Sequence, residues 1–239
     1  ILKHAVKHEV IGKNPAELAD SLRRPKEEPK RKDKPLSSDE ARVWLKASEN
    51  TEFDLFLHLS ILLGLRRGEV LALREQDIIN SEYLDINGTL GEHLVFDNLG
   101  KAKTIVKRDT PKTEAGERQL KLSMPVMESL MRHRGLSSRR IESLGIESPE
   151  YLFFDNKGGC YWPTNFARSF NRWRDDQGLR KIRIHDLRTT NIKLAYEANI
   201  DSNMIKNGVG HSDIQTTANV YGKKVEKLAY EYGAAVSDF

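Results

Sequence analysis

Six residues have types and spacing that could do chemistry together: Arg66, Lys112, His185, Arg188, His211 and Tyr221. A tyrosine phenol ionises at a pKa of about 10 and is a poor nucleophile at neutral pH. Attack on phosphorus by such a group needs fixed cations that hold the phenolate and the crowded equatorial oxygens. Two guanidiniums, an ammonium and two imidazoles supply those surroundings without a metal.

Each member has a local rationale. Arg66 follows Gly64 at the start of a helical stretch, so its guanidinium and the positive helix end can face one anion. Glu69, three residues on, shares that face and can hold the side chain in place. In "IHDLR", His185 and Arg188 are also three apart and can grip one phosphate from one helix face. Lys112 stands just before the turn in "TPKTEAGERQLKL", where a long cationic side chain can swing towards a ligand. Tyr221 lies ten residues beyond His211, or roughly 15 Å along a straight helix, so the segment between them must bend for both to serve one site. Taken singly, these residues are ordinary: a solvated arginine pair, a histidine at a helix start, a hairpin lysine, a tyrosine packing its ring. Their co-occurrence is what points to a site. His185, Asp186 and His211 could also ligate a metal, but no His-x-x-x-His or paired-carboxylate spacing appears, and the nearby arginines would repel a cation.

The elements that must position these residues are legible as pattern. The chain has 239 residues, 38% hydrophobic and 31% charged, an ordinary composition for a folded domain with a charged surface. No run is apolar for long enough to cross a bilayer, and the first residues, "ILKHAVKHEV", lack the pattern of a secretory signal, so a cytoplasmic protein associated with the bacterial nucleoid is expected. Cys160 is the only cysteine, which excludes an internal disulfide. The net charge of +4 suits a polyanionic partner without demanding one. Residues 1–22 read as two short helices, the second capped by Asn14 with Pro15 in its first turn. Residues 23–35, "RRPKEEPKRKDKP", carry three prolines, seven basic and three acidic residues. They read as an exposed linker that can lie along a phosphate backbone through Lys30, Arg31, Lys32 and Lys34. A new domain, residues 36–239, opens with a capping box between Ser37 and Glu40 and an apolar face including Val43 and Trp44. "TEFDLFLHLSILLGLRRGEVLAL" predicts a helix to about Leu63, a break at Gly64 and a second helix from Arg67. Residues 83–122 alternate and predict a small antiparallel sheet with "TEAGE" as a turn. Helical spacing returns in "PVMESLMRHRGL", "PTNFARSFNRWRDDQ" and "HDLRTTNIKLAYEAN", with a strand at "YLFF" before the turn "DNKGG". The fold class expected is α+β, mostly helical with a small sheet.

Over residues 35 to 221 the sequence resembles the tyrosine recombinases of the phage integrase family. "LLGLRRGEVLALREQDI" is similar to that family's first arginine box, with Arg66 and Glu69 in the matching places. "PKTEAGERQLKL" resembles its β-hairpin lysine segment, although Lys101, Lys103 and Lys107 lie on the same predicted sheet as Lys112. "HDLR" and "GVGHSDIQTTANVYG" resemble the second box, matching His185, Arg188, His211 and Tyr221. Two departures stand out: Leu63 where threonine or serine is common, and "TTN" after "HDLR" where a histidine is often seen.

The resemblance implies a site-specific DNA recombinase that needs no cofactor and forms a 3′-phosphotyrosyl intermediate through Tyr221. Arg66 and Arg188 would clamp the non-bridging oxygens, with Arg67 as a further DNA contact. Lys112 would protonate the departing 5′-oxygen, His185 would accept the tyrosine proton or support the phosphate, and His211 would add a hydrogen bond. Residues 1–22 would be the end of a core-binding domain. The tail after Tyr221, apolar at Val225, Leu228, Ala229 and Tyr232, would dock on a neighbouring protomer or pack on its own domain. The implied partners are double-stranded DNA recombination sites and three further copies of the chain in a synaptic homotetramer. An excisionase or a host DNA-bending factor would be an accessory partner, the free protein would be a monomer, and no membrane is involved. Three rivals remain at this level. A type IB topoisomerase would reseal the same strand. A non-catalytic helix-turn-helix protein would read bases through Gln215 and Asn219. A metal-dependent nuclease would be silenced by a chelator.

Overall fold

Nine consecutive residues, Asp54 to Leu62, are buried, so the helix they form has no solvent face and the rest of its domain packs round it. The computed structural model describes residues 2–18, 35–98, 100–110 and 116–210. The chain divides into two compact units, residues 1–32 and 33–239. The first unit contains α1 (Leu2–Lys7) and α2 (Pro15–Leu18). The Asn14 side chain accepts from the Ala16 amide at 3.1 Å, as its capping position predicts. The basic linker lies almost wholly outside the described residues, as do Lys112, His211, Tyr221 and the C-terminal tail.

The second unit opens with α3 (Ser38–Ser48), and both halves of the expected capping box form: the Glu40 amide donates to Ser37 Oγ at 3.2 Å and the Ser37 amide to Glu40 Oε2 at 2.8 Å. Trp44 is buried, whereas its neighbour Val43 points outward. The buried helix is α4 (Asp54–Leu62); Gly64 then takes a positive φ of 68°, and α5 (Arg67–Leu71) starts in a new direction. A 3₁₀ turn (Glu75–Asp77) leads into β1 (Ile78–Ile79), β2 (Tyr83–Ile86), β3 (Thr89–Phe96), β4 (Ala102–Asp109) and β5 (Arg118–Lys121). Then come α6 (Met124–Leu144), α7 (Pro163–Asp176), α8 (Ile184–Glu197) and α9 (Ser202–Val209).

The strands do not form the single small sheet expected over residues 83–122. β1, β2 and β5 make one antiparallel sheet in the order β1-β2-β5, while β3 and β4 form a separate hairpin in which Thr89 faces Asp109 and Phe96 faces Ala102. β3 lacks a clean alternation because its outer half has no core to face: Leu94 and Phe96 are exposed. α6 runs on from Leu136, where the apolar pattern weakens, to Leu144, and ends at Gly145 in the left-handed region. "YLFF" is not a strand. Tyr151 to Phe154 form bends with a single bridge from Phe154 to Cys160, and the run is apolar because Phe153 packs 4.8 Å from the His133 ring. An aromatic cluster of Trp44, Phe53, Phe56, Phe166, Phe170 and Trp173 joins α3, α4 and α7.

Asp54 anchors α4 to α6. Its fully buried carboxylate accepts from Ser129 Oγ at 2.7 Å and Arg132 Nε at 2.6 Å and lies 3.0 Å from His58 Nδ1. Burial works to raise its pKa, but the hydrogen bonds from His58, Arg132 and Ser129 outweigh burial and hold the carboxyl well below the usual range. The folded state therefore binds fewer protons than the unfolded one, and this stability is present above the unfolded pKa and lost as pH falls. Asp54→Asn should lower the unfolding free energy by about 3 kcal/mol at pH 7, measured by urea denaturation. The difference from the native protein should shrink as pH falls below about 4; a difference that stays constant to pH 2.5 would contradict this assignment.

Candidate active site

Gly64 reverses the chain after α4, and a Cβ there would come within 2.5 Å of Asn191 Oδ1. That contact reflects how α8 caps α4. Asn191 Nδ2 donates to the carbonyls of Ile61 at 2.9 Å and Leu62 at 3.0 Å, and Arg188 Nη1 donates to Gly64 O at 2.6 Å. The asparagine of "TTN", a departure from the family pattern, thus holds the helix end that aims Arg66. Gly68 has a similar reason to be glycine: a Cβ would lie 2.4 Å from Thr89 Oγ1, so only a bare backbone lets α5 pack on β3.

Arg66 is the residue before α5, and its amide donates to Glu69 Oε2 at 2.9 Å while its Nη1 donates to Glu69 Oε1 at 2.6 Å. The i,i+3 pairing expected from sequence is therefore present. The same carboxylate also binds Arg118, the first residue of β5, at 2.9 Å, and the side chains of both are 7% exposed. Burial works to raise the Glu69 pKa, but the charge and hydrogen bond of Arg118, then the charges of Arg66 and Arg188, hold it below the usual carboxylate range. Glu69 is a buried anion held among three cations.

The three guanidiniums share a second acceptor. Arg118 Nε donates to Gly208 O at 2.8 Å, Arg188 Nη2 to Val209 O, and Arg66 Nη2 to Gly210 O at 3.1 Å. Three successive carbonyls at the end of α9 are thus each capped by a different arginine. The negative end of the α9 dipole faces the cluster and offsets its repulsion. The next residue in the chain is His211.

Arg66 and His185 open onto a cavity of about 790 Å³ that is also lined by Arg67, Arg174, Lys181 and Arg183, with no acidic side chain in its wall among the described residues. Arg174 is part of its frame, because its donors reach Asn171 Oδ1 at 2.7 Å, Ile182 O at 3.2 Å and Asp175. Arg183 grips Asp186 with two bonds of 2.9 Å, which occupies the carboxylate considered above as a metal ligand. His185 lies exposed at the cavity lip in the first turn of α8. Protein packed round its ring, and then the charges of Arg188, Arg66 and Arg183, hold its pKa below the ordinary histidine value against the opposing pull of Asp186. Because solvent reaches this ring, the fixed arginine charges are the more durable of those causes.

The structure therefore brings together Arg66, Glu69, His185 and Arg188, with Arg67 exposed on the same cavity. Lys30, Arg31, Lys32, Lys34, Lys112, His211 and Tyr221 lie outside the described residues. Among the other lysines considered, Lys103 stands opposite Val95, on the order of 20 Å along β3 from Thr89 at the cavity. Lys107 lies 3.6 Å from Asp109. Arg118, Lys181 and Arg183 are site residues that the sequence reading did not single out. Arg118 had a signal: strand alternation places it on one face with Leu120 and Leu122, both buried, and a buried arginine needs a carboxylate.

The Phage integrase family model matches residues 34–227, and the chain belongs to that family. The ICEBs1 integrase of Bacillus subtilis (strain 168) is 27% identical over 233 residues, 93% of this chain and 58% of the relative. A "Tyrosine recombinase XerC-like" protein of Caldanaerobacter subterraneus subsp. tengcongensis is 25% identical, over 72% of this chain and 46% of the relative. The chain spans about half the length of the curated relatives it matches. Among solved structures, the Tn1549 transposon integrase in complex with a circular intermediate DNA superposes with a TM-score of 0.63 at 16% identity, covering 99% of this chain and 74% of that one. XerA recombinase gives 0.61 at 18%, covering 90% and 65%. The α+β fold is that of the tyrosine recombinase catalytic domain.

Glu69→Gln should cost about 3 kcal/mol in urea denaturation, because it leaves the buried Arg118 charge uncompensated. Sulfate, an anion able to enter the cluster, should restore more stability to the variant than it adds to the native protein. A variant within about 0.5 kcal/mol of native would show that Glu69 is not the anion that balances this cluster.

Proposed function

We propose that this chain is the catalytic part of a site-specific DNA recombinase that integrates or excises a mobile element by cutting and rejoining strands through a 3′-phosphotyrosyl link. The observation that carries the reading is the meeting of Arg66, from the turn before α5, with Arg188, from α8, at the carbonyls that immediately precede "HSDIQTTANVYG". Family membership supports it. So do the names of relatives: the ICEBs1 integrase of Bacillus subtilis, the integrase of Staphylococcus phage L54a, and a lambda integrase dimer bound to a COC' core site.

In the proposed reaction Tyr221 Oη attacks the scissile phosphorus, a bond forms between them, and the bond from phosphorus to the 5′-oxygen breaks. The phenolic proton passes to His185, which the surrounding positive charge keeps neutral and able to accept it. The departing 5′-oxygen takes a proton from Lys112. The resemblance of "PKTEAGERQLKL" to the family's β-hairpin lysine segment supports that choice of lysine. Arg66 and Arg188 balance the charge on the non-bridging oxygens, and His211, bonded directly to Gly210, adds a hydrogen bond there. A 5′-hydroxyl from a partner strand then reverses the step, so the bond energy is conserved and no cofactor takes part. Arg67, Lys181 and the linker residues Lys30, Arg31, Lys32 and Lys34 hold the flanking phosphates. The working assembly is a homotetramer on two DNA sites, formed from monomers and assisted by an excisionase or a DNA-bending protein, in the cytoplasm.

Incubating the full chain with a nicked duplex of its recombination site and running a denaturing gel tests the chemistry. A covalent protein–DNA band should form with the native protein, persist in the presence of a chelator and disappear in Tyr221→Phe. No band, or an equal one from Tyr221→Phe, would overturn the reading and favour the non-catalytic DNA-binding alternative.

The pH dependence follows from the sign of the His185 shift. Its folded pKa is lowered, so the neutral base persists below the ordinary histidine value of about 6.5 and is lost only as pH falls further. The single-turnover rate should therefore hold level from pH 8 to about 6.5 and decline below it. A decline that begins above pH 7 in the native protein, or one unchanged in His185→Asn, would contradict this role.

A further inference from the structure

Arg118 does not line the cavity, and its donors are directed into the protein: Nε to Gly208 O at 2.8 Å, Nη1 to Gly116 O at 3.2 Å, and both terminal nitrogens towards Glu69 at 3.4 and 2.9 Å. Its two main partners, Glu69 and the end of α9, are the same two groups that hold Arg66. One planar guanidinium thus fixes both supports of another from behind. We infer that Arg118 is a positioning residue for the strand-cleavage step, setting the direction of the Arg66 side chain by locking Glu69 and the α9 terminus against each other. This rests on the reading of Arg66 as a phosphate clamp.

The geometry explains why arginine is used. An ammonium at this position keeps its attraction to Glu69 but cannot present the in-plane Nε and Nη2 donors that reach the two acceptors at once. Among the charges round Glu69, Arg118 also opposes the effect of burial most strongly. Its loss therefore loosens the carboxylate that takes Arg66 Nη1 and the carbonyl segment that takes Arg66 Nη2. A displacement of about 1 Å at a clamp is enough to cost on the order of 100-fold in rate.

A double-mutant cycle on single-turnover adduct formation with the nicked duplex tests this, with each variant assayed below its unfolding transition. Arg118→Gln should slow cleavage about 100-fold while changing the Kd for the duplex by less than about threefold. Arg118→Lys should recover about a tenth of the native rate, and it replaces Arg118→Gln in the cycle if the latter does not fold. If Arg118 acts through Arg66, Arg118→Gln in an Arg66→Ala background should slow cleavage by no more than about threefold beyond Arg66→Ala alone. A full further loss in the double variant, or cleavage by Arg118→Gln at the native rate, overturns the inference and leaves the recombinase reading intact. A native protein that forms no adduct overturns both.

Discussion

Three guanidiniums cannot occupy one corner of a protein unless something negative is fixed between them. Here two things are. Glu69 is buried and ionised between Arg66 and Arg118, and the last turn of α9 turns three successive carbonyls towards the cluster, one for each arginine. At this depth like charges repel far more than in water, so the arrangement stands only while both acceptors are in place. Much of the domain can be understood as the means of keeping them there.

That dependence runs through elements distant in sequence. α4 is buried on all sides and tied to α6 by the Asp54 network, which makes it a fixed post. Its C-terminal carbonyls are capped by Asn191 and Arg188 from α8, so the helix that supplies one arginine also fixes the turn that aims the other. β5 joins the same corner through Arg118, and β3 presses on α5 through the missing side chain of Gly68. Backbone dipoles and a carboxylate preset the directions of the cations, which under the proposed function lowers the reorganisation left for the reaction.

What could be read in the sequence was whatever depends on near neighbours in the chain. The Ser37 and Glu40 cap, the pairing of Arg66 with Glu69 and the shared face of His185 and Arg188 are all spacings of three residues, where helix geometry decides the outcome, and the break at Gly64 rests on the conformational freedom of one residue. The unrecognised features are long-range. Nothing local reports that Arg118 meets Gly208, or that α9 ends on three arginines. The second half of α6 was hidden because the apolar pattern weakens from Leu136 onward. β3 escaped because its outer half, with Leu94 and Phe96 exposed, lacks the apolar and polar alternation of a half-buried strand. Arg118 was the missed opportunity, since its alternation with Leu120 and Leu122 marked it as an inward-facing charge.

Whether this cationic corner neutralises a scissile phosphate, as proposed, can be read by changing the phosphate. A nicked duplex whose scissile group is a methylphosphonate lacks one of the charged non-bridging oxygens. Arg66→Ala should lose at least about 100-fold in adduct formation on the ordinary phosphodiester and less than about tenfold on the methylphosphonate, because the charge that needed the arginine is gone. An equal loss on both substrates would contradict that role.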